Sequence, residues 1–232
     1  MKYSANDNLE VMKCAKNYNN FIIGHVFKAI EKNNCKNILD FGCADGFFIR
    51  KILDKFENVN TFGVEIDDFS FKKCKDSGIN VARSIDEFEA KFDIIYSFNT
   101  LEHIEDDFKT LQDLYNKLNS GGKLILYVPA LPFLYSSMDK KTGHYRRYRK
   151  KDLSEKLIKA GFNIEKIEYC DCIGVIATLL YILKDCVFKS NNGDISEFSV
   201  KLYDKIFPLS QFLDKLIFKY FLGKNLVVVV GK

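Results

Sequence analysis

The sequence predicts a doubly wound α/β sheet, and three observations carry that expectation. Short apolar runs alternate with stretches of helical periodicity from residue 38 to residue 169. One of those runs, 92–97, is apolar almost throughout, as strands buried on both faces are. Glycine turns separate the runs, at Gly42, Gly46, Gly78 and Gly121-Gly122.

Element by element, residues 1–8 read as a loose polar tail. Residues 9–33 read as one amphipathic helix with Phe21, Ile22, Val26, Phe27 and Ile30 on one side. The first strand is expected at 38–41, then a helix at 47–56. A second strand covers 60–66 and carries Glu65 near its end. A helix at 69–77 follows, with Gly78 suited to its C-cap, then a short strand at 79–82 and the strand at 92–97. Helix 106–118 is stopped by Ser120-Gly121-Gly122, and strand 123–128 is closed by Pro129. Beyond it, 130–151 reads as a loop rich in aromatic and basic residues. A helix at 151–160, capped by Gly161, leads to a strand at 162–169. Two helices, 172–188 and 198–222, are separated by a polar turn at 190–194 and precede a last strand at 226–230. The expected organisation is a helical arm (1–35), an α/β core (36–169), a helical insertion (170–224) and a final core strand (225–232).

Composition excludes several classes. A chain of 232 residues with 47% hydrophobic and 28% charged residues can bury a sizeable core without disulfide or metal staples. The net charge of +4 allows an acidic acceptor or a membrane surface and disfavours nucleic acid as the main partner. The 7 cysteines, at 14, 35, 43, 74, 170, 172 and 186, include no CxxC pair, so neither a disulfide framework nor a zinc site is expected, and no metal is assigned. Reduced thiols, together with a polar N-terminus lacking a signal-peptide pattern, fit a cytoplasmic protein. The longest apolar run, 172–183, falls short of the roughly 20 residues a spanning helix needs.

The most informative stretch is 36–50. An apolar run ends at Asp40, Gly42 and Gly46 follow, and helical spacing resumes at Phe47. Such a strand–turn–helix lets a backbone approach a ligand closely. A phosphate-binding P-loop needs Gly-Lys-Ser/Thr at its end, and this loop ends Gly46-Phe47. A dinucleotide fingerprint needs glycine at 42, 44 and 47, and only Gly42 is present. Glu65 stands nineteen residues after Gly46, about where a carboxylate can accept both hydrogen bonds of a ribose diol.

The arrangement Asp40-x-Gly42-x-Ala44-x-Gly46 resembles the first motif of class I S-adenosylmethionine-dependent methyltransferases, whose usual form is acid-x-Gly-x-Gly-x-Gly; Ala44 is the departure. The segment from Phe92 to Ile104 looks like the donor-pocket lining of small-molecule members, and Gly121-Gly122-Lys123-Leu124 is also typical. The resemblance covers roughly residues 36–169, with 226–230 as the last strand. It implies a Rossmann-like sheet of about seven strands, the last antiparallel, with the helical insertion before it. It implies S-adenosylmethionine as cofactor and S-adenosylhomocysteine as product. By the same resemblance, the backbone of Gly42, Cys43, Ala44, Asp45 and Gly46, leading into Phe47, lies under the methionine part of the donor. Asp40 steadies the loop or meets the donor ammonium through water, Glu65 holds the ribose, Ile66 and Asp67 border the adenine, Ser84 and Ile85 reach its edge, and Asn99 and Thr100 line the methionine side.

Methyl transfer to a hydroxyl needs a base, and histidine suits that task near neutral pH. His103 and His144 both follow strands on the ligand-binding side and are the candidates, whereas His25 lies in the N-terminal helix and reads as structural. Tyr145, Arg146 and Arg147 belong to the strongest basic cluster, 143–151, which can grip an anionic acceptor, contact a membrane or nucleic acid, or simply be solvated. The stretch from Val128 through Tyr148 resembles a bacterial subgroup associated with surface-glycan and polar-lipid biosynthesis. That resemblance implies a small-molecule or glycan-precursor acceptor in polysaccharide (capsule) biosynthesis, with a sugar, phosphate or phosphoramidate group. N-methylation of a small amine and noncatalytic donor binding are the alternatives. The insertion is expected to be a lid, a homodimer interface or a peripheral membrane-surface element.

Overall fold

A computed structural model describes residues 6–33, 35–188 and 196–232. Seven strands form one sheet: β1 (Asn37–Phe41), β2 (Asn60–Val64), β3 (Asn80–Ala82), β4 (Phe92–Phe98), β5 (Leu118–Pro129), β6 (Asn163–Cys170) and β7 (Asn225–Gly231). Their spatial order is β3-β2-β1-β4-β5-β7-β6. The strands from β1 to β5 pair in parallel, while β7 is antiparallel to both β5 and β6.

Alternation along the central strands divides the core between two faces. Ile94, Tyr96, Ile125, Tyr127 and Val227 pack on one side against Ile22, Ile23 and Val26 of α2 (Lys16–Asn33) and Ile52 of α3 (Phe47–Leu53). Leu39, Ile95, Leu124, Leu126 and Val228 face the other side. There they meet Leu111 and Leu114 of α5 (Asp107–Lys117) and Leu153 and Leu157 of α7 (Lys150–Lys159). Strand order reverses between β1 and β4, and in open α/β sheets the ligand crevice lies at the C-terminal strand ends of that switch point. Gly42–Gly46 follows β1 and Asn99–His103 follows β4, so the fold brings the two segments to one crevice.

Local structure departs from expectation at four places. The single N-terminal helix is two, α1 (Asn6–Met12) and α2, so the polar tail is already helical from Asn6. The break is held by tertiary contacts: the Asn17 and Tyr18 backbone N–H groups donate to the Asp204 carboxylate at 3.0 and 2.9 Å, and Asn19 Nδ2 donates to the Met12 carbonyl at 3.0 Å. Strand β5 begins at Leu118 rather than at 123, and its pairing jumps from Phe92↔Leu118 to Ile94↔Lys123, so the expected glycine turn is a bulge within the strand, with Gly121 at φ 75°. The loop after β5 contains a short helix, α6 (Ser137–Thr142), whose first turn is tied by the Asp139 carboxylate to the Ser136 N–H and hydroxyl at 2.8 and 3.0 Å. The turn at 190–194 lies outside the described residues.

The fourth departure concerns α9 (Glu197–Leu216), which ends before the expected 222. Its buried face is Val200, Asp204, Phe207, Ser210 and Asp214, whereas Leu209, Phe212 and Leu216 are exposed. The buried acids cap other helices: Asp204 serves α2, and Asp214 accepts the N–H groups of Asp171 and Cys172 at the start of α8 (Cys172–Phe188), at 2.6 and 3.1 Å. Phe207 meets Tyr18 and Phe21 edge-on, at ring-centroid distances of 5.3 and 5.6 Å. No helix among the described residues is long and apolar enough to cross a membrane.

Candidate functional site

The loop after β1 turns through three left-handed residues, Gly42 (φ 85°), Ala44 (φ 47°) and Gly46 (φ 80°). The Gly42 and Cys43 N–H groups donate to the Val64 carbonyl at 2.9 and 3.0 Å, tying the loop to the end of β2. A Cβ on Gly42 would stand 2.3 Å from Thr100 Oγ1, so glycine is required there on both conformational and steric grounds. Ala44 adopts a conformation disfavoured for an L-residue and donates its N–H to Glu65 Oε2 at 2.8 Å. Glu65 Oε1 accepts the Asp67 N–H at 2.7 Å. Burial raises the Glu65 carboxyl above its ordinary range while the N–H groups of Asp67, Ala44 and Ile66 pull it down.

Around this cradle, Cys43 is buried with Sγ 4.0 Å from Cys74 Sγ. Asp45 holds Lys13 at 2.6 Å, fastening the α1–α2 corner to the loop. Phe47 opens α3 and meets Phe48 edge-on. Ile66 is 72% exposed, an apolar surface next to Glu65, while Asp67 caps α4 (Asp68–Asp76) by accepting the Ser70 N–H at 2.9 Å. Ser84 caps the short turn that follows β3, and Ile85 is buried in the core. Asn99 (φ 51°) donates its N–H to the Tyr127 carbonyl at 2.8 Å, and Thr100 lies against Gly42. Asp40 is buried and its Oδ2 has no hydrogen-bond partner; burial raises its carboxyl, and the Tyr96 hydroxyl acts on it without a hydrogen bond of good geometry.

The two candidate histidines come together, with ring centroids 4.6 Å apart at an interplanar angle of 83°. His144 Nδ1 lies 2.8 Å from Asp139 Oδ1, and an ionised carboxylate only accepts, so the ring donates there; in the neutral ring Nε2 then carries the lone pair. Burial pushes the His103 ring down to about 4; a positive charge on the neighbouring His144 ring, where that ring is protonated, adds to this, and the Gly143 and Thr142 carbonyls oppose it. Alone, His103 is therefore a weak base near neutral pH. The Asp139 carboxyl is held well below its ordinary range: burial opposes this, but the His144 ring and Arg147 prevail.

Two residues emerge that the sequence did not single out. Asp139 was legible only as the fourth member of a Ser-x-x-Asp cap at 136–139. Glu102, within Leu101-Glu102-His103, is fully buried, neither carboxylate oxygen has a hydrogen-bond partner, and burial raises its carboxyl to about 8. Its Oε1 lies 3.9 Å from His144 Nε2. Tyr145 is exposed and donates its N–H to the Glu102 carbonyl at 2.8 Å. The two arginines turn onto protein acids: Arg146 pairs with Asp107 at 2.9 Å, and Arg147 Nε with Asp139 at 2.9 Å. The basic cluster is thus partly neutralised from within, and Arg149 lies on the surface, 3.7 Å from the Asp152 carboxylate.

A family profile described as a methyltransferase domain matches residues 16–167. Malonyl-(acyl-carrier protein) O-methyltransferase 1 of Ilyobacter polytropus is 30% identical over 96 residues, 38% of this chain and 36% of its own length. The tRNA U34 carboxymethyltransferase of Campylobacter concisus is 32% identical over 100 residues, 39% of this chain and 35% of its own length. The match thus spans about a third of the length of these curated relatives. A solved SAM-dependent methyltransferase structure from Archaeoglobus fulgidus shares the fold at a TM-score of 0.59 and 17% identity, covering 92% of this chain and 94% of that one.

Proposed function

Because this chain belongs to the methyltransferase domain family, with the class I S-adenosylmethionine-dependent fold, we propose that it methylates an oxygen of a small polar acceptor. The observation that carries the reading is the crevice between β1 and β4, where the Gly42–Gly46 cradle, Glu65 and Thr100 meet. These residues fit the donor. The cradle admits no Cβ at Gly42, Glu65 offers a carboxylate at the ribose position, and exposed Ile66 offers an apolar border for the adenine. Bound there, S-adenosylmethionine supplies a sulfonium-activated methyl group, so that as the new O–C bond forms the S–C bond breaks and S-adenosylhomocysteine leaves. The protein's task is alignment and removal of the acceptor proton. His103 and His144 stand together beyond β4 and β5 to serve it, with Asp139 orienting His144.

The acceptor we favour is a sugar, phosphate or phosphoramidate group of a surface-glycan precursor in a cytoplasmic pathway. Exposed Tyr145 offers a face for a sugar ring, and Arg149 is an exposed cation of the same segment, 3.7 Å from Asp152. The O-methyltransferase relative supports oxygen as the target atom. The tRNA-directed relative suggests nucleic acid as a second reading; the turning of Arg146 and Arg147 onto Asp107 and Asp139 weighs against it. Exposed Leu180, Leu183, Leu209 and Phe212 on α8 and α9 support a role for these helices in contacting an anionic membrane surface or a second copy. Co-sedimentation with anionic vesicles tests the first and concentration-dependent sedimentation velocity the second.

Calorimetry with S-adenosylmethionine and S-adenosylhomocysteine tests the donor site, and failure of both to bind removes the proposal. Mass spectrometry of candidate acceptors then looks for the gain of one methyl group. Binding without turnover on any acceptor leaves a noncatalytic donor-binding protein, and methylation confined to amines moves the target to nitrogen.

A further inference from the structure

We propose that Glu102, His103 and His144 bind one divalent first-row transition-metal ion at the acceptor end of the crevice. One potential ligand atom from each residue can be chosen so that all lie within 4.8 Å of one another. The Glu102 carboxylate is fully buried, and both its oxygens lack hydrogen-bond partners. A buried carboxylate requires a compensating positive charge or donors. A proton does not remove the problem, because a neutral carboxyl needs an acceptor for its O–H, and no hydrogen bond is made by either oxygen.

His144 points to the same conclusion from the other side. Its Nδ1–H is committed to Asp139, so in the neutral ring, the form that ligates a metal, the Nε2 lone pair faces Glu102 Oε1 across 3.9 Å. That distance is too long for a hydrogen bond. It falls within the span of about 3.0 to 4.2 Å that two ligands, each about 2.1 Å from one ion, cover between right-angle and linear arrangements. The His103 ligand atom completes the set, all three lying within 4.8 Å of one another, so an ion would need to draw them only slightly closer.

The surroundings have the form that supports metal-bound imidazoles. Asp139 orients His144 and is itself held by Arg147 at 2.9 Å and by the Ser136 N–H at 2.8 Å, a carboxylate–histidine–metal relay. Two imidazoles and one carboxylate suit Zn²⁺, Mn²⁺, Fe²⁺ or Co²⁺ and are a poor set for Mg²⁺ or Ca²⁺, which prefer oxygen. Three protein ligands also leave coordination positions open for an acceptor hydroxyl, whose acidity the ion would raise. That use rests on the methyltransferase reading, and it makes His144 a ligand rather than the final base; the binding of the ion itself does not depend on that reading.

The test uses the full chain after treatment with a chelator. Calorimetry with Zn²⁺ and Mn²⁺, and the visible absorption of added Co²⁺, should report one equivalent bound, with Mg²⁺ at least tenfold weaker. Glu102→Gln and His144→Asn should each weaken binding at least a hundredfold. Asp139→Asn should weaken it ten- to a hundredfold, and Cys186→Ser, at an exposed thiol, should leave it unchanged. Donor binding in the same variants serves as the folding check and should stay within a fewfold of the parent. No stoichiometric transition-metal binding by the parent chain overturns the site, as does binding that survives both Glu102→Gln and His144→Asn. If the ion binds and no acceptor is methylated, the site stands and the functional reading fails; if methylation proceeds at full rate without metal, the reading stands and the metal's part in it falls.

Discussion

The side-chain amide of Asn17 donates to the backbone carbonyl of Asp204 at 2.9 Å. In an unbroken helix that carbonyl would accept the N–H of residue 208, but residue 208 is proline and has none. The N-terminal arm therefore supplies the hydrogen bond that α9 lacks, and Asp204 returns two through its carboxylate to the Asn17 and Tyr18 N–H groups. Replacing Asp204 with alanine removes both caps. It should destabilise the protein by about 2 kcal/mol, the upper end for loss of a cap. Urea unfolding of the variant and parent measures it, and an unchanged midpoint would refute the capping role.

This relationship shows where the sequence stops being legible. Strands such as β4 and the helices that cover them are written in local periodicity, because each needs only a consistent apolar face. Asp204, Ser210 and Asp214 break the apolar pattern of α9 because their partners are N-termini far away in sequence, and no local rule anticipates a buried acid there. The donor cradle is legible because its glycines answer a local backbone need. Glu102 and Asp139 are not: one sits among other polar and acidic residues at 99–107 and the other inside a stretch read as a loop, and their importance arises only when β4 and β5 bring His103 and His144 together.

Gly42→Ala should abolish donor binding or weaken it at least tenfold. The added Cβ meets Thr100 Oγ1 at 2.3 Å, and the left-handed φ of 85° penalises any L-residue by about 1 to 2 kcal/mol. The steric part is separable. Combining it with Thr100→Gly should restore part of the affinity by making room, while the conformational part remains. Calorimetry on the single and double variants checks this, and a double variant weaker than the Gly42→Ala single would refute the clash.

Ala44→Gly should act in the opposite direction. The residue holds φ 47° at the one motif position that departs from glycine, and relief of that strain should stabilise the fold by up to about 1 kcal/mol. The gain is offset in part by the greater freedom of glycine in the unfolded chain. A higher melting temperature with donor affinity unchanged or improved is the expected result.

Glu65→Gln should lower donor affinity about ten- to a hundredfold. The carboxylate accepts N–H bonds from Ala44 and Asp67 at 2.8 and 2.7 Å, and charge-assisted bonds of this kind contribute about 1.5 to 3 kcal/mol. The glutamine keeps the shape but offers only one acceptor oxygen, so both the loop and the ribose lose a partner. An affinity equal to that of the parent would remove Glu65 from the donor site.

His25 gives the protein a pH dependence away from the site. Burial lowers its ring to about 4 from an ordinary 6.5; Lys166 and Lys28 add to the effect and Glu168 opposes it, while its buried Nε2 lacks a hydrogen-bond partner. Between those two values the unfolded chain holds a proton that the folded chain does not. Stability therefore rises with pH across that window and is lost as pH falls from about 6.5 toward 4, by about 3 kcal/mol in total. Above about 6.5 both states are neutral at this ring and the contribution is flat. His25→Gln removes the titration. Relative to the parent, it should be destabilising or neutral at about pH 7.5 and gain ground steadily as the pH is lowered through that window. Urea unfolding of both proteins at several pH values measures the difference. A gap between parent and variant that stays constant across the window would show that the ring titrates equally in both states and is not buried as the fold requires.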